Sequence, residues 1–328
     1  MYIEDAKFSL WCDFIERDFL KDGLDKLINS KTVNGATSNP SIFKNAFLNS
    51  AAYEDDIKSL HGKDVKEIYE TLAVKDIQMS ADLLKNLYEK NDDGFISIEV
   101  DPTLCDDKDA TIEEARRLHK AINRENVMIK IPATVAGFKA METLISEGIH
   151  VNATLIFSPT QAKGCLDAFE KGSSKVQGKL PKAVISVFVS RFDRKMDDAF
   201  FDRNIKKGLL GIFNATKIYH DIEKRGLSNV RTLFASTGVK GDELVPDYYI
   251  TNLLFKNSIN TAPIETIKSF VETGIKEKRE PIDIDIIDGF FDVLKQQEFD
   301  IDSIYKELTD EGLEAFKDAF SDILKALK

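Results

Sequence analysis

A single lysine, Lys130, stands inside the apolar run Val127-Met128-Ile129-Ile131 and is followed at once by Pro132. Its ammonium must either reach water along its aliphatic stem or give up its hydration, and burying an unpaired charge is expensive. Alternation along an extended segment puts Lys130 and Met128 on one side and Val127, Ile129 and Ile131 on the other. Where such a side chain loses water the neutral amine is favoured, and a neutral amine among uncharged donors is what Schiff-base formation with a carbonyl compound needs. The structural alternative is an inward lysine held in an ion pair with Glu99 or Asp13. Other polar residues recur at comparable points: Asp13 after "FSLWC", Asn39 in "GATSNPS", Glu99 in "ISIEVDP", Asn152 and Thr154 in "VNATLIFS", Ser186 and Arg191 in "VISVFVSR", and Ser236 with Lys240 in "FASTGVK". Glu99 and Thr154 are suited to hold a water between them, the proton shuttle that carbinolamine formation and dehydration require, and Asp13 to take and return the proton of a substrate hydroxyl. Asn39 and Asn152 suit sugar hydroxyls. Arg191, Ser236 and Lys240 suit a phosphate, with a solvated surface role as the alternative for Lys240.

Composition removes other chemistries. Three cysteines, Cys12, Cys105 and Cys165, lie far apart and form no C-x-x-C pair, and the four histidines show no ligand spacing. Neither a disulfide framework, a metal site nor a Ser-His-Asp triad is expected. A net charge of −11 disfavours nucleic acid as a partner, although a few local cations still hold a small anion. The longest apolar run, "AVISVFV", is far short of a bilayer span, and the acidic start "MYIEDAKFSLW" is unlike a signal peptide. A cytoplasmic protein without membrane partners is expected, either a monomer or a homodimer.

The elements that must position these residues follow from hydrophobic period. Short β-branched segments at 8–12, 32–37, 95–100, 127–131, 151–157, 183–189, 232–236 and 258–262 alternate with helix-period stretches. Over 111–124, Ile112, Ala115, Leu118, His119 and Ile122 form one stripe, and Thr111 with Glu114 predicts a capping box. A second helix is expected over 137–148, ending in a C-terminal glycine. Eight βα units and no G-x-G-x-x-G after the first strand predict an α/β fold, a closed (β/α)₈ barrel forming one domain over 1–328. Two or three extra helices are expected in 40–94, a polar basic loop at 170–182, and a terminal amphipathic helix carrying Leu313, Phe316, Phe320, Ile323, Leu324 and Leu327 that packs back onto the barrel. In such barrels reactive groups sit at the C-terminal ends of strands, where every polar residue named above falls.

The stretches "GATSNPSIF", "ISIEVDP", "MIKIPAT", "GIHVNATLIFS" and "VISVFVSR" fall in the order seen in transaldolases, and across roughly 10–260 the sequence resembles that family in its longer bacterial form. The resemblance implies a Schiff-base (β/α)₈ enzyme of the pentose phosphate pathway, without metal or organic cofactor. Such enzymes transfer a dihydroxyacetone unit from sedoheptulose 7-phosphate or fructose 6-phosphate to erythrose 4-phosphate or glyceraldehyde 3-phosphate. It implies Lys130 as the Schiff-base lysine, Glu99 and Thr154 as the catalytic-water pair and Asp13 as general acid/base. Asn39, Asn152 and Ser186 match substrate-contacting positions, and Arg191 a phosphate-binding arginine. The best-known members carry Ser-x-Arg after the seventh strand, whereas this chain reads Ser236-Thr237-Gly238-Val239-Lys240. Two competing readings remain. A fructose-6-phosphate aldolase-type lyase resembles the barrel but is shorter, and Phe188 and Glu99 favour the transferase; a catalytically silent phosphate-binding barrel would need a broken Glu99, Lys130 and Asp13 set.

Overall fold

The computed structural model describes residues 1–328 and contains eight strands: β1 (Ser9–Cys12), β2 (Gly35–Thr37), β3 (Phe95–Glu99), β4 (Val127–Pro132), β5 (His150–Ile156), β6 (Ala183–Phe188), β7 (Val230–Ala235) and β8 (Ile259–Ala262). They close into a barrel in chain order with every neighbouring pair parallel, β8 returning to β1 with Ile259 opposite Ser9 and Ala262 opposite Cys12. The expected (β/α)₈ barrel is therefore the fold, and alternation assigns its faces correctly. Val127, Ile129 and Ile131 join the core between strands and helices, while Met128 packs inside the barrel with Trp11, Phe95, Val184, Leu233 and Ile259. Both faces are thus apolar, as a parallel sheet covered by helices requires.

Polar side chains at the C-terminal end of the barrel start the following helices. Asn39 accepts from Ile42 N at 3.0 Å and caps helix Pro40–Asn49; Thr134 accepts from Gly137 N at 3.0 Å and caps Val135–Ser146. Ser158 and Gln161 form a full capping box on Pro159–Ser173. At the other end of Val135–Ser146, Gly148 takes φ of +85° while its N–H reaches Ile145 O, the left-handed turn expected there.

Three sequence expectations are corrected. The capping box Thr111/Glu114 does not form, because Asp107 caps the helix earlier, accepting from Ala110 N at 3.0 Å, and the helix runs Lys108–Ile122. Glu114 instead accepts from Asp101 N and from Lys66 Nζ, both at 2.7 Å, and Thr111 donates to Leu104 O at 2.9 Å. The loop expected at 170–182 begins only after Ser173, since Phe169 and Gly172 are buried and extend the helix. The last helix starts at Ile301, well before the predicted stripe, with Asp300 as its cap.

That last helix, Ile301–Ala326, lies across the C-terminal end of the barrel. Phe316, Phe320, Ile323 and Leu327 of the stripe are buried, and the Phe320 ring meets Tyr69 edge-on at 5.1 Å. Gly312 allows a close approach: a Cβ there would lie 3.0 Å from Leu155 Cδ2 and 3.2 Å from Arg191 Nη1. Lys195 of helix Ser190–Phe201 pairs with Glu307 and Glu311 at 2.8 and 2.7 Å, and Lys44 with Asp322 at 2.7 Å. No helix is long and apolar enough to cross a membrane.

Candidate active site

A cavity of about 450 Å³ opens between the strand ends and the last helix, lined by Asp13, Asn39, Lys130, Ser186, Arg191, Ser236 and Lys240 together with Arg194, Thr261 and Phe316. Seven of the ten residues expected from sequence therefore share one cavity. The other three, Glu99, Asn152 and Thr154, are buried in the barrel wall beside it. A second cavity, about 230 Å³, opens at the opposite end of the barrel among Trp11, Phe95, Met128 and Arg231; none of the expected residues lines it.

Strand register explains the grouping around Lys130. Glu99 of β3, Lys130 of β4 and Asn152 of β5 are successive partners across the ladder, so their side chains point inward at one level. Lys130 Nζ donates to Ser38 O at 3.1 Å and stands 3.6 Å from Glu99 Oε2, and the Phe316 ring centroid lies 5.8 Å away. Neither oxygen of Glu99 has a hydrogen-bond partner, nor does Thr154 Oγ1, although all three atoms are buried. Unpaired buried polar atoms cost free energy; the Glu99 carboxyl lies beside the amine, and Thr154 is two residues past Asn152, the partner of Lys130 on β5. Burial pushes the Glu99 carboxyl up to about 7; the Lys130 charge pulls the other way and Asp13 adds to the rise.

Asp13, just past β1, is half-buried. Desolvation raises its carboxyl, while Lys130 and a 2.6 Å hydrogen bond donated by Thr37 oppose that rise. Thr37 Oγ1 also meets Thr261 Oγ1 at 2.7 Å, so a chain of hydroxyls holds Asp13 from β2 and β8. On the far side Ser186 donates to Asn152 Oδ1 at 2.6 Å, and Asn152 Nδ2 donates to Ser97 Oγ at 3.0 Å. Asn152 therefore spends its oxygen and one amide N–H on protein partners, whereas Asn39 spends only its oxygen on the helix cap and keeps its amide N–H groups for the cavity.

Thr154 sits at an irregularity. Pairing between β5 and β6 slips between Ala153 and Ile156, and Leu155 takes φ of +58°, a left-handed conformation rare outside glycine. Gln161 braces the bulge: its Oε1 accepts from Phe157 N at 2.9 Å and Ser158 N at 3.1 Å, and its Nε2 donates to Leu155 O at 3.1 Å and Ala133 O at 3.3 Å. Ser236, at the end of β7, also has positive φ, +54°, and its hydroxyl lies 3.2 Å from that of Ser190.

Arg191 begins the helix after β6, with its guanidinium 5.1 Å from the Phe188 ring centroid. Lys240 is exposed at the cavity rim in the loop after β7. Four residues, Thr261, Gln161, Phe316 and Arg194, have no place in the site expected from sequence, although Phe316 belongs to the expected stripe of the terminal helix. Thr261 and Arg194 had local signals, a strand-end position and a spacing of one helical turn from Arg191. The stripe marked Phe316 as apolar helix face, but nothing local tells where a distant helix will lie. No group of three or more His, Cys, Asp or Glu side chains is gathered as a metal site.

Residues 10–327 match the model of the family described as transaldolase/fructose-6-phosphate aldolase. A Helicobacter pylori (strain P12) protein named transaldolase is 47% identical over 321 residues, covering 98% of this chain and 99% of its own length. A Campylobacter jejuni subsp. jejuni (strain 81-176) protein of the same name is 48% identical over 330 residues, with 98% and 99% covered.

Proposed function

The chain belongs to the transaldolase/fructose-6-phosphate aldolase family, and from that premise we propose that it is a transaldolase working through a Schiff base on Lys130. The observation that carries this reading is the pairing at the cavity floor. Lys130 Nζ is hydrogen-bonded only to a neutral carbonyl, and Glu99 stands off at 3.6 Å with both oxygens unpaired. Had the two been a structural ion pair, the carboxylate would be expected to close on the ammonium and satisfy its lone pairs.

In the proposed mechanism the Lys130 amine attacks the ketone carbon of a ketose phosphate and gives a carbinolamine. Glu99, acting with Thr154 through a water, supplies the proton with which the hydroxyl leaves as water, forming the iminium. Asp13 takes the proton of the C4 hydroxyl as the C3–C4 bond breaks; the bond's electron pair flows into the iminium, giving an enamine, and the aldose phosphate departs. An acceptor aldose phosphate then enters, the enamine attacks its aldehyde carbon, Asp13 returns the proton, and water releases the new ketose phosphate. Asn39, Asn152 and Ser186 hold the donor's hydroxyls, and Arg191 and Ser236 face its phosphate, with Lys240 exposed at the rim of the cavity. Sedoheptulose 7-phosphate and fructose 6-phosphate are the proposed donors, with erythrose 4-phosphate and glyceraldehyde 3-phosphate as acceptors. The chain works as one barrel domain in the cytoplasm, a setting that suits its three free, buried cysteines.

Borohydride treatment in the presence of fructose 6-phosphate should leave a reduced dihydroxyacetone adduct on Lys130, found by peptide mass mapping. An adduct on another lysine, or none, overturns the proposal. Turnover of fructose 6-phosphate should also require an aldose phosphate acceptor; rapid cleavage without one would make the protein a lyase.

A further inference from the structure

One cation in the cavity has no part in these steps. Arg194 lies one helical turn beyond Arg191 on helix Ser190–Phe201 and lines the same cavity, with Ser190 and Ser236 between the strand ends. Neither Arg191 nor Arg194 forms an ion pair, although the chain has 56 acidic residues to 45 basic ones. The acids beside them on the same helix are committed elsewhere. Asp193 accepts from Gly211 N at 3.0 Å and Tyr249 OH at 2.9 Å, and Asp197 accepts from Gly208 N at 2.9 Å. Burial first and the charge of Arg194 second depress Arg191, while Glu311 opposes the shift.

We propose that Arg191 and Arg194 form a two-guanidinium clamp for the phosphate monoester of the sugar substrates, Arg194 standing in for the arginine that the best-known relatives carry after the seventh strand. The inference rests on the transaldolase reading for the identity of the ester. Lys240 is the other candidate for that part, and the clamp assigns it only a rim charge. A guanidinium presents a planar fork to two phosphate oxygens, whereas an ammonium is a point charge. Arg194 also stands on a helix anchored by the Lys195 pairs with Glu307 and Glu311, while Lys240 is exposed on a loop.

The test compares Arg194→Gln, which preserves helix propensity, with Arg194→Lys and Lys240→Ala in the full chain. Titration with inorganic phosphate, followed by the shift in thermal unfolding, reads anion binding without chemistry. Arg194→Gln should weaken phosphate at least fivefold and raise KM for fructose 6-phosphate at least tenfold with kcat within threefold. Arg194→Lys should recover only part of the loss, and Lys240→Ala should raise KM less than threefold. Unchanged phosphate affinity and KM in Arg194→Gln, or a larger loss in Lys240→Ala, overturns the clamp. If phosphate binding depends on Arg194 while borohydride leaves no adduct on Lys130, the clamp stands and the transaldolase reading falls.

Discussion

At the scale of single residues, the gap between Glu99 and Lys130 decides what the pair does. At 3.6 Å the carboxylate steadies a cation but makes no hydrogen bond to it, and both its oxygens remain available to a water shared with Thr154. General acid–base groups contribute roughly 10²–10⁴-fold, so Glu99→Gln should lower kcat by about a hundredfold or more while the dissociation constant of fructose 6-phosphate changes little. Unchanged turnover would remove Glu99 from the shuttle. The same residue carries a stability signature. Its carboxyl is raised from 4.5 to about 7 by burial, so between those values the folded chain binds more protons at this site than the unfolded chain does. The stability it contributes is fully present below pH 4.5 and is lost as pH climbs through about 7. Denaturant midpoints should accordingly fall more steeply for the parent than for Glu99→Gln between pH 4.5 and 7.5; parallel curves would show a carboxyl of ordinary acidity. This comparison is needed because Asp193, buried on the helix after β6, is also raised to about 7.

At the scale of elements, the strands were legible because a parallel barrel strand is apolar on both faces, and Lys130 in β4 was conspicuous against that background. Parity then gave its direction. Helix starts were less legible: Thr111 and Glu114 fit a capping pattern, yet Asp107 captured the first turn, and Glu114 found better partners in Asp101 N and Lys66. Competition between equally plausible local caps is settled by tertiary contacts, which a linear pattern does not contain. The bulge in β5 was invisible for the same reason, since Leu155 is an ordinary strand residue until Gln161 supplies four hydrogen bonds around it. Gln161→Ala leaves two N–H groups and two carbonyls to find other partners, a loss of about 2–3 kcal/mol. Because the bulge aims Thr154, kcat should fall more than stability alone explains. Normal kcat in the folded variant, measured below its unfolding transition, would mean that the bulge geometry does not serve the shuttle.

For the whole molecule, the stripe from Leu313 to Leu327 announced an amphipathic helix but not what it would cover. The helix extends over Ile301–Ala326 and brings Phe316 above Lys130, with Gly312 against Arg191, so one element roofs both ends of the site. Its apolar face, rather than its ion pairs, should hold it there: Phe316 and Phe320 are 4% and 3% exposed, whereas the Lys44–Asp322 pair is solvated and screened. A roof over a Schiff base has a chemical consequence. After the aldose phosphate leaves, the enamine must wait for an acceptor; if it is protonated instead, water hydrolyses the iminium to free dihydroxyacetone and the amine, and transfer is lost. Excluding water until the acceptor arrives therefore separates transfer from simple cleavage. Phe316→Ala should raise the ratio of dihydroxyacetone released to ketose formed severalfold with fructose 6-phosphate and a limiting acceptor, while Lys44→Ala leaves that ratio unaltered. Both products are read by coupled enzymatic assay in one mixture. A Phe316→Ala enzyme that is slower but partitions as the parent does would show that the ring only packs the helix, and that retention of the intermediate lies in the barrel wall around Glu99 and Asp13.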